Sequence, residues 1–219
     1  MQSDIIDIEF RSPPNLGVLT CRLPLYVVDE IKVHINNVFK NDFQNSNIVP
    51  ANANLAGHLQ HEYKLPNLME KLEPLLVDLS NQYNDRFNLF DTIGTHKGNT
   101  TLKLTELWVN FQKKHEFNPV HHHTGVISFV IWISIPYNLA EEDAVFSEVD
   151  SGKPQTSKFM FHYTNILGKQ SNLPLPIDKS WEGILALFPA QLSHSVNPFY
   201  TSDDYRISVA GNLSYVFKD

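Results

Sequence analysis

The stretch "GVISFVIWISIP", residues 125–136, alternates two kinds of side chain. Successive residues of a strand point to opposite faces. Ile127, Phe129, Ile131, Ile133 and Ile135 therefore share one face, and Val126, Ser128, Val130, Trp132 and Ser134 share the other. One face is wholly apolar and the other is mixed. Such a strand suits the wall of a barrel, with packed core on one side and a site on the other.

The same period of two recurs in "TLKLTELWVNFQ" (101–112), "WEGILALFPAQLSHSV" (181–196) and "YRISVAGNLSYVF" (205–217). Residues 141–180 are polar and rich in Ser, Lys, Asn and Pro, apart from "KFMFHY" (158–163). They read as long loops around one or two strands, and so as a lid and substrate-selecting element. The first hundred residues follow another period. After a strand at "IIDIEF" (5–10), Leu25, Val28, Ile31, Ile35 and Val38–Phe39 recur at helical spacing within 23–40. Leu68, Leu72, Leu75, Leu76, Leu79 and Tyr83 do the same within 65–87, where Pro74 predicts a kink or break near Glu73. Helices followed by many short strands predict an α+β, mainly β domain spanning 1–219. Residues 1–100 would be mostly helical support and 101–219 a jelly-roll core.

Composition narrows the function. The chain has 219 residues, 42% of them hydrophobic, and a net charge of −7. Without clustered Lys and Arg, nothing favours a nucleic acid as partner. No apolar run approaches the ~18–20 residues of a membrane span. No basic and then apolar leader opens the chain, and Cys21 is its only cysteine, so a cytoplasmic protein without an intrachain disulfide is expected. Cys21 reads as a small buried or half-buried apolar residue.

Three histidines stand together in "NPVHHHTG" (118–125). Alternation lets His121 and His123 reach one metal while His122 points away. Imidazole suits iron, copper, nickel and zinc alike, and two ligands make a poor site. His194, in "FPAQLSHSVNPF", is the best third ligand, because it follows a strand and could turn back over a barrel mouth. Twelve positions further on, Arg206 shares a strand face with Ser208 and Ala210. A buried guanidinium needs an anionic or strongly hydrogen-bonding partner. That partner is either a ligand carboxylate, with Ser208 as a further donor, or an acid of this chain such as Asp203 or Asp204. Trp108 and Trp132 read as packing residues. His34, His58, His61, His96, His115 and His162 have no spacing that recommends them.

Across 106–136 and 183–212 these motifs, Asn-Pro-x-His-x-His, Phe-Pro-x-x-x-x-His and Arg-x-Ser, resemble the 2-oxoglutarate- and Fe(II)-dependent oxygenases. The resemblance is to the prolyl-hydroxylase-like branch of bacteria and of phages of marine bacteria, for which a host-cytoplasmic location would follow. It implies a double-stranded β-helix, with Fe(II), 2-oxoglutarate and O2 as cofactor, cosubstrate and oxidant. It implies iron on His121, His123 and His194, and the distal carboxylate of 2-oxoglutarate on Arg206 with Ser208. Asn110 and Asn212 lie on strands where the family lines the cosubstrate pocket; otherwise they are buried amides bonded to backbone.

One departure is clear. His123 stands where the wider family has a carboxylate, which leaves the site one unit more positive. Glu141, Glu142 or Asp143 could supply a carboxylate instead. The implied reaction is hydroxylation of a C–H bond, on a peptidyl proline or another amino-acid side chain, in a protein, a peptide or a small molecule. The rivals are a three-histidine cupin-type dioxygenase that does not use 2-oxoglutarate, and a jelly roll with a structural metal or a binding role.

Overall fold

The computed structural model describes residues 15–39, 49–51, 57–93, 98–149 and 154–218. The strand expected at 5–10, and His96, lie outside the described residues.

In chain order the elements are β1 (Leu19–Arg22), α1 (Leu25–Phe39), β2 (His61–Lys64), α2 (Pro66–Phe87), α3 (Leu89–Thr92), β3 (Thr100–Gln112), β4 (Asn118–His121), β5 (Ile127–Ser134), α4 (Leu139–Ala144), β6 (Phe159–Thr164), β7 (Gln170–Leu175), β8 (Ile184–Pro189), β9 (His194–Val196) and β10 (Arg206–Phe217). The strands form two antiparallel sheets. The larger has the order β1-β8-β5-β10-β3-β2 and the smaller β4-β9-β6-β7. The fold is therefore mainly β with helices, as the two periodicities predict.

β5 separates two cores. Ile127, Phe129, Ile131 and Ile133 pack into a cluster with the apolar stripes of α1 and α2. Val130 and Trp132 join a second cluster with Phe159 and Phe161 of β6, Ala186 and Phe188 of β8, and Phe199. The apolar face thus meets the helices, and the mixed face looks between the sheets. Burial on both sides leaves this strand no solvent face.

Helix α1 buries the expected stripe at Val28, Ile31, Ile35 and Val38 but departs from it at its start. Leu25 is 80% exposed, whereas Val27 is buried beside Val28, Ile31, Ile35 and Val38. Leu25 is the first residue of the helix, directly after Pro24, and lies at the end of the packed stripe. Helix α2 starts with Pro66 and runs unbroken through Pro74. Burial of Leu68, Leu72, Leu76, Leu79 and Tyr83 outweighs the one lost helical N–H. Glu73 next to it accepts the N–H of Leu104, and the Tyr83 hydroxyl donates to the Gly17 carbonyl.

Cys21 lies half-buried in β1, and burial pushes its thiol pKa up. Residues 139–149 and 154–175 carry the two strands expected among long loops, together with a short helix. They contain α4, β6 and β7. Glu142 of α4 is wholly buried, and its carboxylate accepts the N–H groups of Tyr200 and Thr201 and the Thr201 hydroxyl.

Gly211 lies in the middle of β10, beside a register shift at Asn212/Leu213. A Cβ added there would stand 2.4 Å from the Glu106 carbonyl oxygen and 2.8 Å from the Phe129 ring. Backbone cannot yield as a flexible side chain can. Gly211→Ala is expected to destabilise the protein by about 1–3 kcal/mol, read from the midpoint of urea unfolding.

Candidate metal centre and its cavity

The inner face of the larger sheet is read row by row from its register. Gln112 of β3 pairs with Arg206 of β10. In the next row Glu62 of β2, Asn110 of β3, Ser208 of β10 and Trp132 of β5 stand side by side. The row after it carries Trp108, Ala210 and Val130. All of these except Gln112 line one cavity, with an empty volume of about 550 Å³.

The smaller sheet supplies the histidines. His121 at the end of β4 pairs with His194 at the start of β9. β4 stops at His121, so His123 lies beyond the strand, its backbone N–H on the Ala190 carbonyl. The expected split of the triplet still holds. His121 and His123 join His194 in the cavity, whereas His122 is exposed and lines a neighbouring cleft. One ligand nitrogen from each of the three lies within 4.8 Å of the others. Nitrogens about 2.1 Å from a shared ion stand roughly 3–4 Å apart, so small ring rotations close the set.

Two of the rings are already oriented. His121 Nδ1 lies 2.7 Å from the Pro119 carbonyl and His194 Nδ1 lies 2.9 Å from that of Leu192. A carbonyl only accepts, so each Nδ1 carries the proton and each Nε2 lone pair is free for a metal. The His194 ring stacks on Phe159 and meets Phe188 edge-on. This apolar bed disfavours the charged form. Burial, and then neighbouring histidines, hold His123 down at about 4 and His194 at about 3. His121 is lowered by burial as well. Neutral imidazole is the form that binds metal, and the donor set fits a divalent first-row ion.

No carboxylate joins the three histidines among the described residues. Glu142 is committed to Tyr200 and Thr201, Asp143 pairs with Lys158 at 2.9 Å, and Glu141 is exposed.

Arg206 is 2% exposed and has no acidic partner among the described residues. Asp203, one of its expected partners, pairs with Lys114. All five N–H groups of Arg206 go to neutral acceptors. Nε and one Nη2 hydrogen reach Gln112 Oε1, at 3.1 and 2.6 Å. Nη1 serves the Tyr137 hydroxyl and the Ser157 carbonyl, and Nη2 the Asn197 carbonyl. The guanidinium is fully hydrogen-bonded, but its charge is not compensated by any acid in contact.

Ser208 and Asn110 join the cavity and each other, Asn110 Nδ2 donating to Ser208 Oγ at 3.3 Å. Asn212 does not. It donates to Glu106, accepts from Ser128, and lies along the neighbouring cleft. Trp108 and Trp132 pack as expected and also line the cavity.

Sequence reasoning missed Glu62 and Asn118. Glu62 sits in the four-residue strand "HEYK", too short to show a period. The "NP" of the histidine motif was the only signal for Asn118.

Residues 106–212, a little under half of the chain, match the family described as "Putative 2OG-Fe(II) oxygenase". Over these residues the chain resembles the 2OG-Fe(II) oxygenases. The family uses Fe(II), 2-oxoglutarate and O2, which favours the main reading over both rivals. No curated protein matches the chain. Among solved structures, the chain is similar to a Pseudomonas putida prolyl-4-hydroxylase, at 13% identity over 91% of this chain and 92% of that one, with a TM-score of 0.52. That likeness is one of fold. A Burkholderia pseudomallei oxidoreductase of the 2OG-Fe(II) oxygenase family is 16% identical over 90% of this chain and 84% of that one, with a TM-score of 0.47. Among the described residues, no helix is long and apolar enough to cross a membrane.

Two outcomes are expected. In cobalt(II) titrations, His121→Ala and His194→Ala each weaken binding by about 100-fold or more, while His122→Ala stays near wild type. The second concerns pH in the metal-free protein. Unfolded histidines take protons below about 6.5, but His123 and His194 in the fold stay neutral to about 4 and about 3. Stability is therefore lost as pH falls from about 6.5 towards 4. Glu62, raised to about 7, acts in the opposite sense over the same interval. The comparison is therefore with His194→Gln, whose melting temperature should fall less steeply than that of wild type between pH 7 and 4.5.

Proposed function

We propose that this oxygenase hydroxylates a C–H bond of an amino-acid side chain, of a peptidyl proline or another residue, in a protein, a peptide or a small molecule. We assign it a double-stranded β-helix core in a single domain spanning 1–219. The observation that carries the reading is one cavity holding three convergent neutral imidazoles and a buried guanidinium without an acid.

His121, His123 and His194 would hold Fe(II). When bound, iron supplies the redox chemistry that couples oxidative decarboxylation of 2-oxoglutarate by O2 to oxidation of the substrate, giving succinate, CO2 and an alcohol. The chain does the rest. Arg206 takes the distal carboxylate of 2-oxoglutarate, which replaces a neutral acceptor such as Gln112 Oε1 by a charged one. Charge-assisted hydrogen bonds are roughly twice as strong as neutral ones, so the exchange favours the ligand. Ser208 Oγ and Asn110 stand in the next row to add polar contacts. Phe159, Phe188 and Trp132 exclude water around the histidines, which preserves the neutral ligand state. Asn212 reaches this site only through its neighbours, so its part is to support the sheet.

The test is succinate release by purified, iron-loaded protein supplied with 2-oxoglutarate and O2, beside calorimetric titration of 2-oxoglutarate. Binding and slow uncoupled turnover are expected. Arg206→Ala should weaken 2-oxoglutarate binding by about 100-fold, and Ser208→Ala by roughly tenfold or less. An iron-loaded protein that neither binds 2-oxoglutarate nor releases succinate would return the three-histidine cupin reading.

A further inference from the structure

The same cavity contains a carboxylate that the iron and 2-oxoglutarate chemistry leaves unused. Glu62 is 3% exposed, and its Oε1 has no hydrogen-bond partner. It does not belong to the set of nitrogens that converges on the metal. It stands on the edge strand β2, two strands from Ser208 and so removed from the Arg206 end of the cavity.

Its neighbours in the cavity wall repeat its character. Asn110 Oδ1 and Asn118 Oδ1 are also buried without partners. Glu62 and Asn110, paired across β2 and β3, and Asn118 thus bring three oxygens without a hydrogen bond from the described residues to the wall of one cavity. No Lys or Arg of the described residues forms an ion pair with Glu62. The charge acting on it is another carboxylate, Glu116, itself held by the backbone N–H groups of Gln60 and Lys113. Burial and this like charge push Glu62 up to about 7.

A buried acceptor left unmatched costs about 1–3 kcal/mol, more when charged. Such groups persist where a ligand completes them. A cation carrying several N–H groups would satisfy Glu62 and the two amide oxygens together.

Resting on the oxygenase reading above, we propose that Glu62, with Asn110 and Asn118, is the specificity-determining subsite for a substrate whose ammonium or guanidinium group lies near the oxidised C–H bond. This selects basic amino-acid side chains and amines from the broader class. A peptidyl proline has no N–H to offer these acceptors, and a carboxylate-bearing head would be repelled by Glu62.

The experiment uses wild-type protein loaded with manganese(II), which avoids turnover, and saturated with 2-oxoglutarate. It is titrated calorimetrically with two matched pairs, n-butylguanidinium against n-butylurea and n-butylammonium against 1-butanol. Each pair differs chiefly in charge. At least one cation should bind tenfold or more tightly than its neutral match. That ratio should fall to about one in Glu62→Gln and persist in Glu62→Asp. Equal affinities in wild type, no binding by either cation, or a preference that survives Glu62→Gln each overturn the proposal. If Glu62→Gln does not fold, the wild-type ratio and Glu62→Asp decide. Absence of heat on adding 2-oxoglutarate before any amine instead defeats the oxygenase reading, and the cation pairs then test Glu62 on the unloaded chain.

Discussion

Arg206 joins the two sheets, which no strand pairing connects. Its five N–H groups are divided among Gln112 of β3, Tyr137 after β5, Ser157 before β6 and Asn197 after β9. Two of these residues belong to the side of the larger sheet and two to that of the smaller. The guanidinium lies against Tyr137 and Phe199, so it is packed as well as bonded. Ser157 gives up its carbonyl from a left-handed backbone conformation, at φ 59°. Burying a cation is costly unless each donor is met. Once each donor is met, the same requirement fixes the spacing between the sheets, and with it the cavity.

The histidines depend on that spacing. Their neutrality comes from burial between aromatic rings, and the aromatic bed exists because β6 and β8 face each other across the gap. Their direction comes from local carbonyls two residues back in the chain. Long-range packing thus sets the protonation state, while short-range backbone geometry sets the aim. The two are separable, which is why a ligand set can be legible in sequence while its electrostatics are not.

The large strands were readable because their periods are long enough to be unambiguous. Residues 125–136 predicted two dissimilar faces, and each met its own core. Arg206 and Ser208 were placed together by the same alternation. The structure brings His121 and His123 together with His194 and leaves His122 exposed, although β4 ends before His123. Other features depend on what lies across the fold. Leu25 belongs to a helical stripe by spacing, but no partner covers it. Pro74 should interrupt a helix, yet the packing of α2 overrides it. Asn212 sits on the correct strand and is taken up by Glu106 and Ser128. Residues 141–180, expected to hold one or two strands among long loops, contain β6 at the apolar piece and β7, which is polar and shows no period in the sequence. Glu62 is the plainest case. That a carboxylate is inward-facing and uncompensated is a property of its surroundings, which four residues of strand cannot reveal.

His123 differs from the other two ligands in a way that matters. His121 and His194 are pinned at Nδ1, whereas the His123 ring has no hydrogen bond among the described residues and rests against Trp108, 5.6 Å away between centroids. Both His123 and Trp108 also face the neighbouring cleft of about 1090 Å³. The metal centre therefore has two fixed jaws and one adjustable jaw. The adjustable one is a party wall, since His123 and Trp108 line the inner cavity and the outer cleft alike.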